Sequence, residues 1–496
     1  MRYPDFMNRA LRAIVPGAVL LATACSADSL IVPNKNAPNL GGTQNSRAAV
    51  DLAVQGVLSL VRANGQNFVT SAGAYGREYW LMQPQFGATI SGPYRDWKIN
   101  SLNGGGLWGG YFRNLRSITV AKQILDTASA SLTGTEKSAA RGVLYTIQGL
   151  EQLYLLLARD TVGTVTQVSG DPTDIKPFVS RDSGYKFVTA ILDSGLAALQ
   201  GGGAAFPFTL APGYTGSPGA GFAVGATGFN ASTPTGFVKL NRAIKARVEA
   251  YRGSIGCGAP CYTAALAALQ ASFFTGVAGF TRANRGLGVY HSFSAATNDV
   301  ANGLFPAGGT FNYYNTSIKT IPGVATDLRY LEKVRIAGQI GGVEGFVSDI
   351  EPTVYANNSS PVPLIRNEEL ILLYAEASYF SGATAQALDA INAVRTLSGG
   401  LAARGAFADA ADFKTELLAQ IRLSLLYEGH RWVSVRRLLG NPALAALRLQ
   451  LPQVAPPGAR TSEPAEYSVA TALPVPQGEC LSRDRTGNPS LKGPGC

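Results

Sequence analysis

The 496-residue sequence is poor in charge and in the side chains that most often carry metal and proton chemistry. Only 15% of its residues are Asp, Glu, Lys or Arg, and it holds two histidines and five cysteines. The formal net charge is +10, yet Lys and Arg are scattered and form no dense basic run. Because nucleic-acid-binding proteins concentrate their basic residues in a patch or stripe, the sequence argues against a nucleic-acid partner.

Signatures of nucleotide and metal binding are also missing. The glycine triplets at Gly104–Gly106 and Gly201–Gly203 lack the Lys-Ser/Thr that completes a P-loop. Neither His291 nor His430 lies near a cysteine pair, whereas a structural zinc site needs four close ligands. No stretch matches an EF-hand loop. We therefore expect no cofactor and no metal site built from side chains. A Ca²⁺ ion bound by loop carbonyl groups is the alternative.

The N-terminus carries the one segment whose composition indicates targeting to a membrane. Three arginines precede the apolar run Ala13–Ala24, which is shorter than the roughly 20 residues that a membrane-spanning helix needs. The run fits a cleavable secretory signal. Its end, Leu21-Ala22-Thr23-Ala24-Cys25, resembles the lipobox of bacterial lipoproteins, which implies that Cys25 becomes the lipidated N-terminus. An ordinary signal peptide that happens to end beside a cysteine is the alternative.

The other four cysteines form two local pairs, Cys257 with Cys261 and Cys480 with Cys496. An exported chain meets an oxidising compartment, where closely spaced cysteines are typically oxidised. Two disulfides, each closing a short loop, are the simplest interpretation.

Helical periodicity dominates both halves of the chain. Apolar residues at i, i+3 and i+4 predict helices at Ser46–Asn64, Leu107–Ala128, Thr135–Ala158, Ser180–Leu199, Val238–Tyr251, Tyr262–Phe274, Arg366–Ser381, Thr384–Leu397, Asp409–Glu428 and His430–Leu439. Paired helices of this length predict a mainly α fold with a tetratricopeptide-like scaffold of helical hairpins.

The predicted organisation is a signal peptide (1–24), a lipidated tether (25–45) and a single domain (46–496). Within that domain we expect a helical scaffold over 46–275 and 361–440. An irregular, loop-rich insert that binds ligand is expected at about 276–360, and a coil tail over 451–496. Residues 201–235, rich in Gly and Pro, predict a further long loop.

Five segments behind the lipobox resemble one family. They are Asp327–Arg329, Leu364–Ala377, Ala387–Arg395, Tyr427–Trp432 running on to Leu438, and Leu473–Gln477 with Asn488-Pro489 behind it. Together they resemble the SusD/RagB family of outer-membrane nutrient-binding lipoproteins. Trp108, Tyr111 and Asn114 resemble the family helix that follows its first variable region. Ser424 stands where the family has an acidic residue.

The resemblance implies a binding protein that performs no bond chemistry. Such proteins are lipid-anchored to the outer membrane and face outward. They capture an oligosaccharide, or sometimes a peptide, and deliver it to a TonB-dependent, SusC-like transporter. A surface glycoside hydrolase and a non-catalytic helical-repeat scaffold of the envelope are the alternatives.

Aromatic residues outside the helical periodicity mark the expected ligand site. A sugar ring presents an apolar face that packs on Trp or Tyr, and hydroxyl groups that need polar partners. Two segments of the chain offer both kinds of contact. The candidate residues are Tyr79, Tyr94, Arg95, Asp96, Trp97 and Asn100 in the first segment, and Tyr313 and Tyr314 in the second. The resemblance gives Trp97 most weight, because the first region commonly contributes to the ligand surface of the family.

The motif residues themselves favour a structural role. Glu428, Arg431, Arg436 and Arg437 are expected to pair with Arg366, Glu369 and Glu376 across packed helices. His430 has no adjacent nucleophile, so nothing in the sequence supports a Ser-His-Asp arrangement.

Replacement of Cys25 tests the lipid anchor. In Cys25→Ala the acyl chains have no attachment point, so we expect the protein to move from the membrane fraction to the soluble fraction on cell fractionation. Ser26→Ala, one residue further along, is the matched control and should stay with the membranes. A Cys25→Ala protein that still sediments with the membranes would contradict the lipobox interpretation.

Overall fold

The structure is a computed structural model that describes residues 46–81, 107–127, 131–171, 173–297, 299–305, 312–314, 316–343, 346–449 and 469–496. Residues 45–496 group into one compact unit. The predicted signal peptide, tether and Cys25 lie outside the described residues, as do Tyr94, Arg95, Asp96, Trp97 and Asn100. No helix within the described ranges is long and apolar enough to cross a membrane.

The mainly helical fold class is confirmed. The helices are α1 (Arg47–Tyr75), α2 (Gly109–Thr127), α3 (Gly134–Arg159), α4 (Arg181–Gln200), α5 (Pro234–Arg252), α6 (Ala259–Gln270), α7 (Leu328–Lys333), α8 (Asn367–Phe380), α9 (Thr384–Ala393), α10 (Ala410–Ser424), α11 (Arg431–Leu439), α12 (Asn441–Ala445) and α13 (Gln477–Asp484). Short π-helical turns, Gly253–Cys257 and Val394–Ser398, extend α5 and α9. Each long helix lies where the apolar periodicity predicts one.

Local sequence explains where the long helices begin. Ser46, Ser180 and Thr233 each accept a hydrogen bond from a backbone N–H of the first turn. Thr133 and Glu136 form a reciprocal capping box at the start of α3. These caps satisfy amide groups that the helix itself leaves without partners.

Helix α1 runs eleven residues past the predicted end at Asn64. Asn64 and Gly65 interrupt the apolar pattern, and such residues usually mark the end of a helix. Both are buried here. Asn64 donates from Nδ2 to the carboxyl group of Glu151 at 3.0 Å. Gly65 leaves room for the ring of His291, whose Nε2 would lie 2.7 Å from an added Cβ. Tertiary contacts therefore continue the helix through residues that usually end one.

Consecutive helices pack as neighbours around one large apolar core. Helix α3 packs on α2 and α4, α5 packs on α4 and α6, and α8 packs on α6 and α9. The core draws on α1 to α6, on the start of α8 and on α11. A second apolar cluster lies beneath the strands of the insert, and a third joins α8, α9 and α10.

The insert and the tail are more regular than the sequence predicts. The strands are β1 (Tyr79–Leu81), β2 (Thr227–Gly228), β3 (Leu287–His291), β4 (Asn312–Tyr314), β5 (Val334–Val343), β6 (Phe346–Pro352) and β7 (Val362–Arg366). Strands β5 and β6 form an antiparallel pair inside the expected irregular insert, and β3 lies between β2 and β7. The coil tail is likewise corrected, because α13 and a short 3₁₀ turn at Pro489–Leu491 occupy part of it.

Both cysteine pairs predicted from their spacing are joined in the structure. Cys257 and Cys261 close the turn between α5 and α6, and Cys480 in α13 is bonded to Cys496. The second bond joins Cys496 to α13.

A buried cluster of charges holds the helical halves together, as the framework prediction requires. The Arg366 guanidinium donates from Nε and Nη2 to the two oxygens of Glu428 at 3.0 and 2.7 Å. Its Nη1 donates to Glu368 at 2.6 Å. Burial opposes the charge on Arg366, but the two carboxylates outweigh it and raise its pKa. Burial equally opposes the Glu368 carboxylate, yet Arg366 and Lys333 lower its pKa to about 2.

Ser424 extends this cluster. Its hydroxyl accepts from Arg329 Nη1 at 2.9 Å and donates to Glu368 at 3.0 Å. Arg329 also donates to both oxygens of Asp327, at 3.0 and 2.6 Å. The motif segments at 327–329, 364–370 and 424–428, remote in sequence, therefore meet around one set of hydrogen bonds.

Among the other predicted framework residues, one pair is confirmed and Glu369 and Arg436 have different partners. Glu376 pairs with Arg437, as expected. Glu369, however, pairs with Arg247 of α5, which donates to its two oxygens at 2.5 and 2.6 Å. Arg436 turns instead to the carbonyls of Leu157 and Thr471. Arg247 lies on a helix outside the motifs and takes the carboxylate of Glu369. The spacing of the motif residues alone does not reveal this pairing.

Removal of one charge from this cluster should be costly. Glu428→Gln keeps the shape of the side chain but leaves Arg366 buried with one carboxylate fewer, so we expect urea unfolding to show a loss of about 3 kcal/mol or more. Asp182→Asn breaks the exposed pair with Lys186 and should cost less than about 1 kcal/mol. Equal losses in the two variants would contradict the framework role of Glu428.

Candidate ligand-binding site

The structure pairs the start of the first predicted aromatic segment with part of the second. Strand β1 pairs antiparallel with β4, so that Tyr79 lies opposite Tyr314, Trp80 opposite Tyr313 and Leu81 opposite Asn312. More than 230 residues separate these strands in sequence. The backbone therefore joins the start of the first segment to the middle of the second.

Tyr79 itself is a correction to the predicted ligand contacts. Its side chain is 0% exposed, and its hydroxyl lies 2.9 and 2.5 Å from the carbonyls of Val69 and Thr70 in α1. Its ring meets the Tyr427 ring edge-on at 4.6 Å. A ring enclosed in this way cannot stack on a sugar, so Tyr79 anchors the strand instead.

The last turns of α1 are shaped to receive this anchor. A Cβ added at Gly73 would lie 2.0 Å from Cε1 of Tyr79. A Cβ at Gly76 would lie 2.7 Å from the backbone nitrogen of Trp432. Glycine at these two positions lets the strand on one side and α11 on the other approach the helix backbone.

Charged residues fix the turn between α1 and β1. Arg77 adopts a left-handed conformation with φ of 50°, and its carbonyl accepts a hydrogen bond from Arg431. Glu78 follows it, fully enclosed by the fold. Burial raises the pKa of Glu78 to about 7, although the nearby guanidinium groups of Arg431 and Arg422 oppose the rise. The base of the candidate site is therefore tied to the Glu-Gly-His-Arg-Trp motif.

The helix behind residues 82–106 is anchored as firmly. The Trp108 ring lies 5.9 Å from the Phe178 ring in a stacked arrangement, and the Arg159 guanidinium lies 4.9 Å from its centre. Tyr111 donates from its hydroxyl to the Asn64 carbonyl at 2.9 Å. Both flanks of the predicted ligand-binding segment are thus fixed to the scaffold.

Comparison with known proteins agrees with this architecture. The model of the SusD family matches residues 341–479, the part of the chain that holds Arg366 and Glu428. In this part the chain resembles the SusD family. No curated protein matches it by sequence. The resemblance to the SusD/RagB family predicted from the motifs is therefore confirmed.

Solved structures share the fold of the SusD-like chain over nearly its whole length. NanU of B. fragilis is 16% identical, with 90% of this chain and 96% of NanU covered and a TM-score of 0.57. A laminarin-binding SusD-like protein is 14% identical, with 88% and 98% covered and a TM-score of 0.57. A protein crystallised with a xylogluco-oligosaccharide is 14% identical, with 90% and 99% covered and a TM-score of 0.61. At these identities the likeness concerns the fold.

Two kinds of carboxyl group bear on a hydrolytic function, a buried one with a raised pKa and exposed ones in a cleft. Burial raises the pKa of Glu151 to about 8, but Asn64 and Asn114 donate to its oxygens inside the helical core. In an open cleft of about 430 Å³ between α2 and α13, Asp171 and Asp174 are exposed, and hydrogen bonds lower the pKa of each. A glycosidase needs a raised carboxyl group and an ionised one side by side in a cleft. Neither kind meets that requirement.

Over the described ranges, no group of three or more His, Cys, Asp or Glu residues could hold a metal ion. Tyr313 and Tyr314 lie on β4, so their place at the ladder is fixed by the backbone pairing. Glu78 and Tyr427, which support the ladder, were not predicted from the sequence. The signal that could have revealed Glu78 is an Arg-Glu pair directly before an aromatic run in a chain of low charge.

Substitution of Gly73 tests the anchor of the ladder. In Gly73→Ala the new methyl group meets the Tyr79 ring, so we expect a loss of about 1–3 kcal/mol in urea unfolding. Gly56→Ala in the same helix has open space around its new methyl group and should stabilise the protein by about 0.5–1 kcal/mol. A Gly73→Ala protein as stable as the Gly56→Ala protein would contradict the close packing of Tyr79 on α1.

Proposed function

We propose that this SusD-like chain captures an oligosaccharide at the outer-membrane surface, held there by a lipid on Cys25, and delivers it to a TonB-dependent, SusC-like transporter. The observation that carries the proposal is the pairing of β1 with β4. It joins Tyr79–Leu81 to Asn312–Tyr314 on a backbone that the scaffold holds in place. A ring carried on such a backbone would lose less conformational freedom when it binds a sugar face.

Relatives of the same fold support the choice of ligand. One is a laminarin-binding protein and another was crystallised with a xylogluco-oligosaccharide. Trp97 and Tyr94 would supply ring faces, while Arg95, Asp96 and Asn100 would pair with sugar hydroxyl groups. Tyr313 and Tyr314 would complete the surface from β4. A peptide with aromatic side chains is the other ligand that such a surface would accept.

A glycoside hydrolase is the less favoured function. Its chemistry needs two carboxyl groups at a fixed separation beside the sugar. Among the described residues, the carboxyl groups whose pKa is raised, Glu78 and Glu151, are enclosed by the fold and engaged in structural contacts. A scaffold protein of the envelope would have little use for two aromatic segments joined at one ladder.

Binding of glycans by paired variants tests the proposal. We expect the mature protein to bind one glycan saturably in calorimetry against a panel that includes laminarin and xyloglucan oligosaccharides. Trp97→Ala and Tyr313→Ala should each weaken binding of that glycan about tenfold or more, equivalent to about 1.4 kcal/mol, because each removes a ring from the same surface. Tyr145→Ala, an aromatic replacement on α3 outside both segments, is the matched control and should bind normally.

Three outcomes would contradict the proposal. Release of shorter sugars during incubation would favour the hydrolase. Saturable binding of peptides alone would replace the ligand class. Loss of affinity in only one of the two aromatic variants would show that the segments do not share a site.

A further inference from the structure

A further cavity lies between α10 and the helices that follow it. Its volume is about 390 Å³. The wall is mostly aliphatic, with Leu418 and Ala419 from α10, Val435 and Leu439 from α11, and further apolar residues from α12 and the 3₁₀ turn behind it. Apolar cavities of about 150 Å³ already bind molecules of the size of benzene. This one has room for a larger apolar group.

One charged side chain in this wall has almost no partners. Arg422 lines the cavity, and in the described part of the chain its one hydrogen bond runs from Nη2 to the Ser317 hydroxyl at 2.7 Å. Its Nε is shielded from solvent without a hydrogen-bond partner. A guanidinium carries five N–H donors, so Arg422 has donors that no described residue engages. No carboxylate forms an ion pair with it among the described residues, in contrast to Arg366 or Arg247.

The electrostatic surroundings of Arg422 favour an incoming anion. Burial and the neighbouring charge of Arg431 lower the pKa of Arg422 well below its usual value, and Glu78 opposes this only in part. Glu78 is itself a weak counter-charge, because burial raises its pKa to about 7. The guanidinium groups of Arg422 and Arg431 therefore repel each other, and Glu78 offsets the effect on Arg422 only in part. An anion in the cavity would relieve their repulsion and satisfy the free donors.

We propose that this cavity binds a small amphiphilic carboxylate, with its carboxylate on Arg422 and its apolar tail along the aliphatic wall. A purely apolar guest would leave the donors of Arg422 unsatisfied, and a hydrophilic anion would gain nothing from Leu418, Val435 and Leu439. Leu439 is 45% exposed and marks the rim through which the tail would enter. The proposal does not depend on glycan binding.

Octanoate and 1-octanol are matched probes for this site. They share an eight-carbon chain and differ in charge, so calorimetry on the mature protein with both disulfides intact separates the two requirements. We expect octanoate to bind saturably with one molecule per chain, and 1-octanol to bind at least tenfold more weakly. Octanoate should also displace the anionic fluorophore 8-anilinonaphthalene-1-sulfonate from the protein.

Two variants locate the binding. Arg422→Met keeps an unbranched apolar stem and removes the guanidinium donors, so octanoate affinity should fall at least tenfold while 1-octanol affinity stays unchanged. Ala419→Phe fills the cavity and should abolish binding of both probes. Arg485→Met removes an exposed arginine from another part of the chain and should leave both affinities unchanged. Circular dichroism and thermal melting verify that each variant is folded.

The following results would overturn the proposal. Equal affinity for octanoate and 1-octanol would show an apolar cavity with no anion site. Octanoate binding that is absent, or is unaffected by Arg422→Met, would overturn the proposal. If Arg422→Met does not fold, the decision rests on Ala419→Phe, where retained octanoate binding overturns it.

Discussion

The buried contact between Arg366 and Glu428 is the interaction on which the rest of the structure depends. It joins the end of β7 to the turn before α11, and the residues on either side of Glu428 lead directly to the candidate site. Tyr427 packs edge-on against Tyr79. Gly429 has a φ of 82°, and a Cβ added there would lie 3.1 Å from Cα of Val69 in α1. A single set of charges therefore sets the position of both the scaffold and the aromatic ladder. This explains why the fold keeps so much charge in its core while the charged fraction of the whole chain is low.

The sequence predicts the scaffold well because its signals are local. Apolar periodicity and N-caps such as Ser180 and Thr133 depend on residues a few positions apart, and the long helices follow them. The failures have non-local causes. Helix α1 passes through Asn64 and Gly65 because Glu151 and His291 meet those residues from other elements. Glu369 pairs with Arg247 and not with a motif arginine, because α5 approaches α8 only in the folded chain.

The candidate site shows the same division. Composition identifies both aromatic segments, since aromatic residues outside a helical pattern stand out in the sequence. Their pairing through β1 and β4 is invisible there, because three-residue strands have no periodicity to recognise. Burial of Tyr79 is equally hidden, as it depends on the space that Gly73 leaves in another element. Which rings are supports and which are ligand contacts is therefore decided by the fold.

Hydrogen–deuterium exchange with and without bound glycan tests the central claim most directly, namely that the ladder fixed by Tyr79 is the floor of the ligand surface. Laminarin or xyloglucan oligosaccharide should slow exchange in peptides that cover residues 79–100 and 312–314, while peptides from α4 and α5 stay unchanged. Protection of both segments at the same glycan concentration would agree with one surface built on β1 and β4. Protection that spares both segments and appears elsewhere in the chain would contradict the account.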